Sequence, residues 1–186
     1  SSDVCSSDLY QLKVSLRDIS PTIWRRLQVS GNTTLHQLHW MIQGAMGWTG
    51  SHLYQYEIGG GYYGVPDPDY EDFGMEVRSA NTTELSQVVR GQGHRFVYEY
   101  DLGDSWRHEV RVEKIFSPEP GKRYPACLAG ERACPPEDCG GTDGYAEFLD
   151  CIAFPQHPRH REMIDWVGRP FKPEAFDLIE ANLGMK

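Results

Sequence analysis

The densest group of reactive residue types lies in the segment 124–145, YPACLAGERACPPEDCGGTDGY, here called the cysteine loop. It holds Cys127, Cys134 and Cys139, separated by six and four intervening residues. Thiolate and imidazole groups are the ligands that structural zinc prefers in a tetrahedral site. With His108 or Cys151 as a fourth ligand, the cysteine loop therefore forms a candidate zinc site.

The same cysteines allow two other interpretations. The loop has no close Cys-x-x-Cys pair of the kind typical of structural zinc. That favours reduced thiols, which pack as small hydrophobic groups. A disulfide is disfavoured because the chain shows no export signal.

Acidic residues form a second candidate site. Asp101 and Asp104 lie in a predicted turn, and His108 follows four residues after Asp104, while Glu137 and Asp138 belong to the cysteine loop. Brought together, these side chains would make a ligand-binding site for a hard metal ion or for general acid–base chemistry. The alternative is turn chemistry, in which Asp side chains accept backbone N–H groups and glycine supplies a positive φ.

Nucleophilic catalysis has no supporting motif. Ser105 lies near His108, and Ser51 precedes His52, but neither serine stands in a Gly-x-Ser-x-Gly elbow. The glycine run at 59–61 lacks the Lys-Ser/Thr ending of a phosphate-binding loop. The reaction, if there is one, is therefore not identified by a catalytic motif.

Composition narrows the classes of protein further. The chain has 186 residues, a formal net charge of −9 and a pI of about 5.2. That balance disfavours non-specific nucleic-acid binding, which needs clustered Lys and Arg. No apolar run approaches the roughly 20 residues that span a bilayer, and no secretory signal is recognisable. We therefore expect a cytoplasmic protein without a membrane partner.

The first nine residues, SSDVCSSDL, contain a repeated Ser-Ser-Asp and look like a translated sequencing adapter. We expect residues 1–9 to be an artefactual or disordered tail. Residues 10–186 then form a single domain.

Periodicity predicts five strands. Alternating apolar residues mark segments 10–17, 23–29 and 53–58, and two longer runs at 94–102 and 105–116 form a hairpin across the turn at 103–104. Seven residues are expected in the core: Trp24, Leu38, Ile42, Phe96, Tyr98, Val110 and Phe148.

Helical spacing places an amphipathic helix after the second strand, beginning near Thr33 or Thr34. Residues 83–89 form a short helix, and three helical patterns follow the cysteine loop, with Pro158 and Pro173 suited to first-turn positions. The expected class is α+β: one mainly antiparallel sheet of about five strands with a C-terminal helical segment.

Four blocks of sequence resemble the plasmid pRiA4b ORF-3-like family: LKVSLRDISPTIWRRLQV, LHQLHWMIQGAMGWTGSHLYQYEI, YEYDLGDSWRHEV and YPACLAGERACPPEDCGGTDGYAEFL. The pieces HPRH and WVGRPFKPEAFD follow the fourth block, and the matching segments are spread in the family order over nearly all of residues 10–183. The resemblance departs at Tyr54, where the family often has a second histidine after His52 and Leu53. It implies the fold and an association with plasmids and mobile elements, but it implies no reaction.

Two classes of function remain. The first is a non-catalytic binding or accessory protein that holds a protein, peptide or small-molecule ligand. The second is a metal-dependent hydrolase or nuclease built on an Asp/His/Asp cluster. The acidic balance and the missing catalytic motif favour the first.

Overall fold

The computed structural model describes residues 7–71 and 74–186. Its centre is one sheet of eight strands in the order β5-β4-β3-β6-β7-β1-β2-β8. The strands are β1 (Leu9–Leu16), β2 (Trp24–Ser30), β3 (Tyr54–Ile58), β4 (Gly61–Gly64), β5 (Val77–Ser79), β6 (Arg95–Tyr100), β7 (Trp106–Phe116) and β8 (Ala126–Glu131). The β4–β5 pair is parallel and the other pairs are antiparallel.

Six helices accompany the sheet in the described part of the chain: α1 (Leu35–Met46), α2 (Pro68–Glu71), α3 (Leu85–Val88), α4 (Gly141–Ala153), α5 (His160–Val167) and α6 (Leu178–Gly184). Thr34 and Gln37 form a capping box that starts α1, and Gly47 ends it in the left-handed conformation. No helix in residues 7–71 and 74–186 is long and apolar enough to cross a membrane.

The sheet buries one face and leaves the other polar. Inward residues of β6 and β7, such as Phe96, Tyr98 and Val110, are almost fully buried, and the apolar side of α1 joins them in one core. The outward residues of the sheet are mostly charged and form ion pairs across strands, as between Arg26 on β2 and Glu113 on β7 at 2.6 Å. Strict alternation in β6 and β7 therefore fixes which side chains reach the interior.

The expected α+β single domain is confirmed, but the expected count of about five strands is wrong. The three strands that the sequence did not predict are β4, β5 and β8. β4 and β5 are short, with four and three residues, and β4 and β8 contain glycines without alternating apolar residues. They form because neighbouring strands supply the hydrogen bonds. The predicted loop at 59–74 holds β4 and α2, and its residues 72–73 lie outside the described residues.

Helix placement also differs near the C-terminus. The helix after the second strand is α1, as expected, but α5 and α6 begin later than the prolines suggested. The last helix starts at Leu178, because the Asp177 carboxylate accepts hydrogen bonds from the backbone N–H groups of Ile179 and Glu180. The side-chain cap therefore decides the start of α6, and Pro173 lies outside the helix.

Of the seven residues expected in the core, six are buried and Trp24 is not. Ile23 and Arg25 point inward instead, so the expected face of β2 was wrong by one residue. The Trp24 ring lies on the outer face, where the Lys13 ammonium is 4.6 Å and the Arg26 guanidinium 5.0 Å from its centroid.

The expected tail boundary at residue 9 needs a correction. Leu9 is the first residue of β1, is buried, and pairs with Ser30 and Phe116. The Asp8 carbonyl accepts a hydrogen bond from Gly31. Residues 8 and 9 therefore belong to the fold, and residues 1–6 lie outside the described residues.

Two buried histidines are held neutral by the core. Burial lowers the pKa of His108 to about 4. Burial, with a smaller contribution from His36, lowers the pKa of His39 to about 3. The His39 Nδ1 lies 2.7 Å from the Tyr98 hydroxyl, which also accepts from Gln43, so the hydroxyl donates to a neutral imidazole.

These lowered histidine pKa values make the fold less stable as the pH falls. An unfolded histidine titrates near 6.5, so the unfolded chain binds more protons than the folded one as the pH falls from about 6.5 toward 4. We expect the free energy of unfolding, from urea titrations, to fall across that window. His108→Gln should reduce the slope, and an identical slope would contradict the burial argument.

The alternation of β6 gives a direct stability test. Phe96→Ala should cost about 3–5 kcal/mol in urea unfolding, because it empties a packed interior position. Val97→Ala, one residue away on the outer face, is the control and should cost clearly less. A cost below about 1 kcal/mol for Phe96→Ala would contradict the assigned face.

Candidate functional site

The turn between β6 and β7 is organised by Asp101. This residue has a φ of 58°, and its Oδ1 accepts hydrogen bonds from the backbone N–H of Gly103 at 3.0 Å and of Asp104 at 3.2 Å. Both bonds hold one carboxylate oxygen inside the turn. The second oxygen, Oδ2, is left for other partners.

The cysteine loop docks against this turn at two glycines. The Gly140 N–H donates to Asp104 Oδ2 at 3.1 Å. A Cβ on Gly141 would lie 2.5 Å from the Asp104 carbonyl oxygen, and Gly141 has a φ of +70°. Only glycine permits both the conformation and the approach. The contact brings Glu137 and Asp138, which precede Gly140, close to the turn between β6 and β7.

Glu137 is oriented by groups from two other elements. Its Oε1 accepts from the Thr49 backbone N–H at 3.0 Å and from the Tyr100 hydroxyl at 3.0 Å. The Thr49 hydroxyl adds a longer bond at 3.2 Å. Glu137 therefore has its Oε1 fixed by three donors, whereas the donor nearest Oε2 among the described residues is the same Tyr100 hydroxyl, at 3.2 Å.

His52 is the point on which these carboxylates converge. Its Nε2 lies 2.8 Å from Asp138 Oδ1, 3.6 Å from Asp101 Oδ2 and 3.9 Å from Glu137 Oε2. One ligand atom each from His52, Asp101 and Asp138 lies within 4.8 Å of the others. We call His52, Asp101, Glu137 and Asp138 the His–carboxylate cluster.

The cluster concentrates negative charge. Among the described residues, its three carboxylates have no Lys or Arg ion-pair partner and share only His52. Burial raises the pKa of the neighbouring Cys139 thiol to about 12, with further contributions from nearby acids. Burial and the bond to Glu137 raise the pKa of Tyr100. A bound cation would compensate this charge.

The sequence-predicted acids are partly brought together. Asp101, Glu137 and Asp138 converge, whereas Asp104 binds Gly140 and supports the loop. His108 lies elsewhere: it is fully buried on the inner face, its Nδ1 contacts the Tyr98 carbonyl, and its Nε2 has no hydrogen-bond partner among the described residues. The alternation of β7 places it there, and four residues of spacing from Asp104 do not bring it to the turn.

The contributing imidazole, His52, was missed as a site residue. It belongs to the Gly-Trp and His-Leu block just before β3, which stood out only through the family resemblance. Nothing in its local spacing links it to acids about 50 and 85 residues later. Long-range strand pairing of β3 with β6 makes that link.

The candidate thiolate zinc site does not appear as a ligand group among the described residues. Among the described residues, the only group of metal-ligand type is at His52, Asp101 and Asp138, and it contains no cysteine. The four described cysteines are unpaired thiols. Cys127 lies on β8 beside Asn182, Cys134 contacts Arg25 electrostatically, and Cys151 on α4 faces His157.

The mixed eight-stranded sheet with its flanking helices defines an α+β protein, and comparison identifies its family. A family model described as "Plasmid pRiA4b ORF-3-like protein" matches residues 8–180. The chain belongs to that family.

Two relatives extend the comparison. An uncharacterized protein, y4hQ, of Sinorhizobium fredii (strain NBRC 101917 / NGR234) is 38% identical over 176 residues, covering 95% of this chain and 87% of the relative. The crystal structure of MM3350 from Methanosarcina mazei Go1, a protein of unknown function, has a TM-score of 0.82 at 36% identity. It covers 93% of this chain and 96% of its own. The family is thus uncharacterised in function.

Two substitutions test whether Asp104 supports the cysteine loop and whether Asp138 instead belongs to the His–carboxylate cluster. Asp104→Ala removes the acceptor for Gly140 and should cost roughly 0.5–2 kcal/mol in urea unfolding, with or without metal. Asp138→Asn relieves repulsion at an exposed carboxylate and should change metal-free stability by less than about 0.5 kcal/mol. Equal losses for both variants would show that both acids are structural.

Proposed function

We propose that this protein binds a divalent transition-metal ion at the His–carboxylate cluster. The carrying observation is that neighbouring donors fix Asp101 Oδ1 and Glu137 Oε1, while the second oxygens of these carboxylates lie 3.6 and 3.9 Å from His52 Nε2 and Glu137 Oε2 shares the Tyr100 hydroxyl at 3.2 Å. Such outer donors orient ligands in metal sites. Carboxylates gathered without a compensating cation repel one another, so the arrangement favours a bound ion.

The donor set favours Zn²⁺ or Mn²⁺ over Mg²⁺ and Ca²⁺. One imidazole nitrogen with three carboxylate oxygens suits a borderline ion, whereas Mg²⁺ and Ca²⁺ prefer all-oxygen sites. Zn²⁺ lies above Mn²⁺ in the general affinity order. The 2.8 Å between His52 Nε2 and Asp138 Oδ1 must widen slightly for tetrahedral coordination, and the Asp138 side chain is 67% exposed and free to shift.

We infer that the ion serves ligand binding, with hydrolysis as the second candidate. The aliphatic hydroxyls beside the cluster belong to Thr49 and Ser51, which contact each other, and Thr49 also donates to Glu137. That Glu137 oxygen already accepts from the Thr49 backbone N–H and the Tyr100 hydroxyl, which disfavours nucleophilic catalysis by Thr49. Exposure of Asp138 and His52 would leave the ion open to a water molecule, which favours a metal-dependent hydrolase or nuclease as the alternative.

The cellular setting is also proposed. Four unpaired thiols in the described chain support a reducing, cytoplasmic location. The family description, taken from a plasmid reading frame, supports an accessory role on plasmids or mobile elements.

Metal titration tests the proposal. Protein stripped with a chelator should bind about one Zn²⁺ per chain by calorimetry, and Mn²⁺ more weakly. His52→Gln and Asp138→Asn should each weaken Zn²⁺ binding roughly 100-fold or more. Asp150→Asn, an exposed acid of α4 outside the cluster, is the matched control.

Two results would overturn the assignment. Zinc binding that survives His52→Gln but disappears after alkylation of the thiols would place the metal at cysteines. Unchanged affinity in all three variants would remove the cluster from consideration. Zn²⁺-dependent cleavage of a simple phosphodiester, lost in Asp138→Asn, would favour the hydrolase over the binding protein.

A further inference from the structure

A cavity of about 570 Å³ lies beside the cluster and shares one lining residue with it. Its walls come from the end of α1, the first part of α6, residues 133–137 of the cysteine loop and the segment 169–177. Aromatic rings from Trp48, Phe171 and Phe176 make much of its apolar surface. Glu137 is shared with the His–carboxylate cluster.

The inner wall contains a buried cation, Arg25, which is only 3% exposed. Its Nε donates to the Ala45 carbonyl at 2.9 Å, and its Nη1 donates to the carbonyls of Trp24 and Glu131 at 2.8 and 3.0 Å. A guanidinium has five N–H donors. The two on Nη2 have no acceptor among the described residues, although Nη2 is not sealed from solvent.

The charge of Arg25 is also unbalanced. No carboxylate of the described residues forms an ion pair with it, and burial lowers its pKa. The neighbouring Cys134 thiol does not supply a negative charge, because burial raises its pKa well above the usual value. The Phe176 ring, 4.6 Å from the guanidinium carbon, offers only its π face. Buried charges in proteins are normally paired.

The rest of the lining limits the charge of an occupant. Arg169 and Lys172 add two cations, while Glu137, Asp177 and Glu180 add three acids. Two of those acids are engaged elsewhere: Glu137 with Thr49 and Tyr100, and Asp177 with the start of α6. The charges of the lining side chains therefore favour a ligand with a single negative charge over a multiply charged phosphate.

We propose that this cavity binds a small organic acid: one carboxylate that accepts from Arg25 Nη2, joined to an apolar or aromatic body that packs on Phe171, Phe176 and Trp48. The carboxylate accepts hydrogen bonds from the Nη2 N–H groups of the buried guanidinium and balances its positive charge. The site stands apart from the metal proposal, since none of its contacts requires an ion at the cluster.

The experiment titrates purified protein in chelator with phenylacetate and indole-3-acetate, observed by ligand NMR and calorimetry. The matched neutral probes are phenylacetamide and indole-3-acetamide. We expect the acids to bind and the amides to bind at least about 10-fold more weakly, as a hydrogen bond to a charged group implies. The acids should also raise the melting temperature.

Three variants locate the site. Arg25→Lys should weaken acid binding about 10-fold or more. Since Arg25 also holds three carbonyls, Ala175→Trp provides a second variant: this exposed residue lines the cavity, and the larger ring should obstruct it without touching Arg25's bonds. Arg26→Gln, the neighbouring arginine on the outer face, is the control and should bind normally.

The outcomes separate this proposal from the metal site. Equal binding of acids and amides, or unchanged acid binding in Ala175→Trp, would overturn it. Acid binding that persists in His52→Gln supports it independently of the metal. Acid binding that requires added Zn²⁺ would move the carboxylate to the cluster and contradict the role of Arg25.

Discussion

The contact between the β6–β7 turn and the glycines of the cysteine loop is the constraint on which the site depends. The Gly140 N–H binds Asp104, and Gly141 passes so close to the Asp104 carbonyl that a side chain would collide with it. Residues 137 and 138 lie just before this contact, so it fixes where their carboxylates fall. The turn itself is held by Asp101, which is both a turn residue and a member of the cluster.

The one-sided sheet explains why the functional features lie at its edges and ends. Its inner face is filled by aromatic and aliphatic side chains, and its outer face is crossed by paired charges. Polar groups that need partners are therefore placed where loops meet the sheet. Glu137 faces His52 on one side and lines the Arg25 cavity on the other, so the same short stretch of the cysteine loop shapes both surfaces.

Much of the fold follows from local pattern, and the site follows from it only in part. Alternation located five strands and the three expected core residues of β6 and β7, because burial of one face leaves a strict period of two, and helical spacing located the three in α1 and α4. Alternation missed β4, β5 and β8, whose hydrogen bonds come from neighbouring strands. The acids Asp101, Glu137 and Asp138 were identified from their loop context. His52 was not, because its approach to them depends on strand pairing across the sheet, and His108 was wrongly added because strand alternation turns it inward.

The central claim is that His52, Asp101, Glu137 and Asp138 together hold one divalent metal ion. Crystals grown with Mn²⁺ or Zn²⁺ and measured at the metal's absorption edge test it most directly. We predict one strong anomalous peak with the His52 Nε2 and the carboxylate oxygens about 2.0–2.2 Å from the ion. A peak at the cysteines, or no peak at the cluster at saturating metal, would contradict the account.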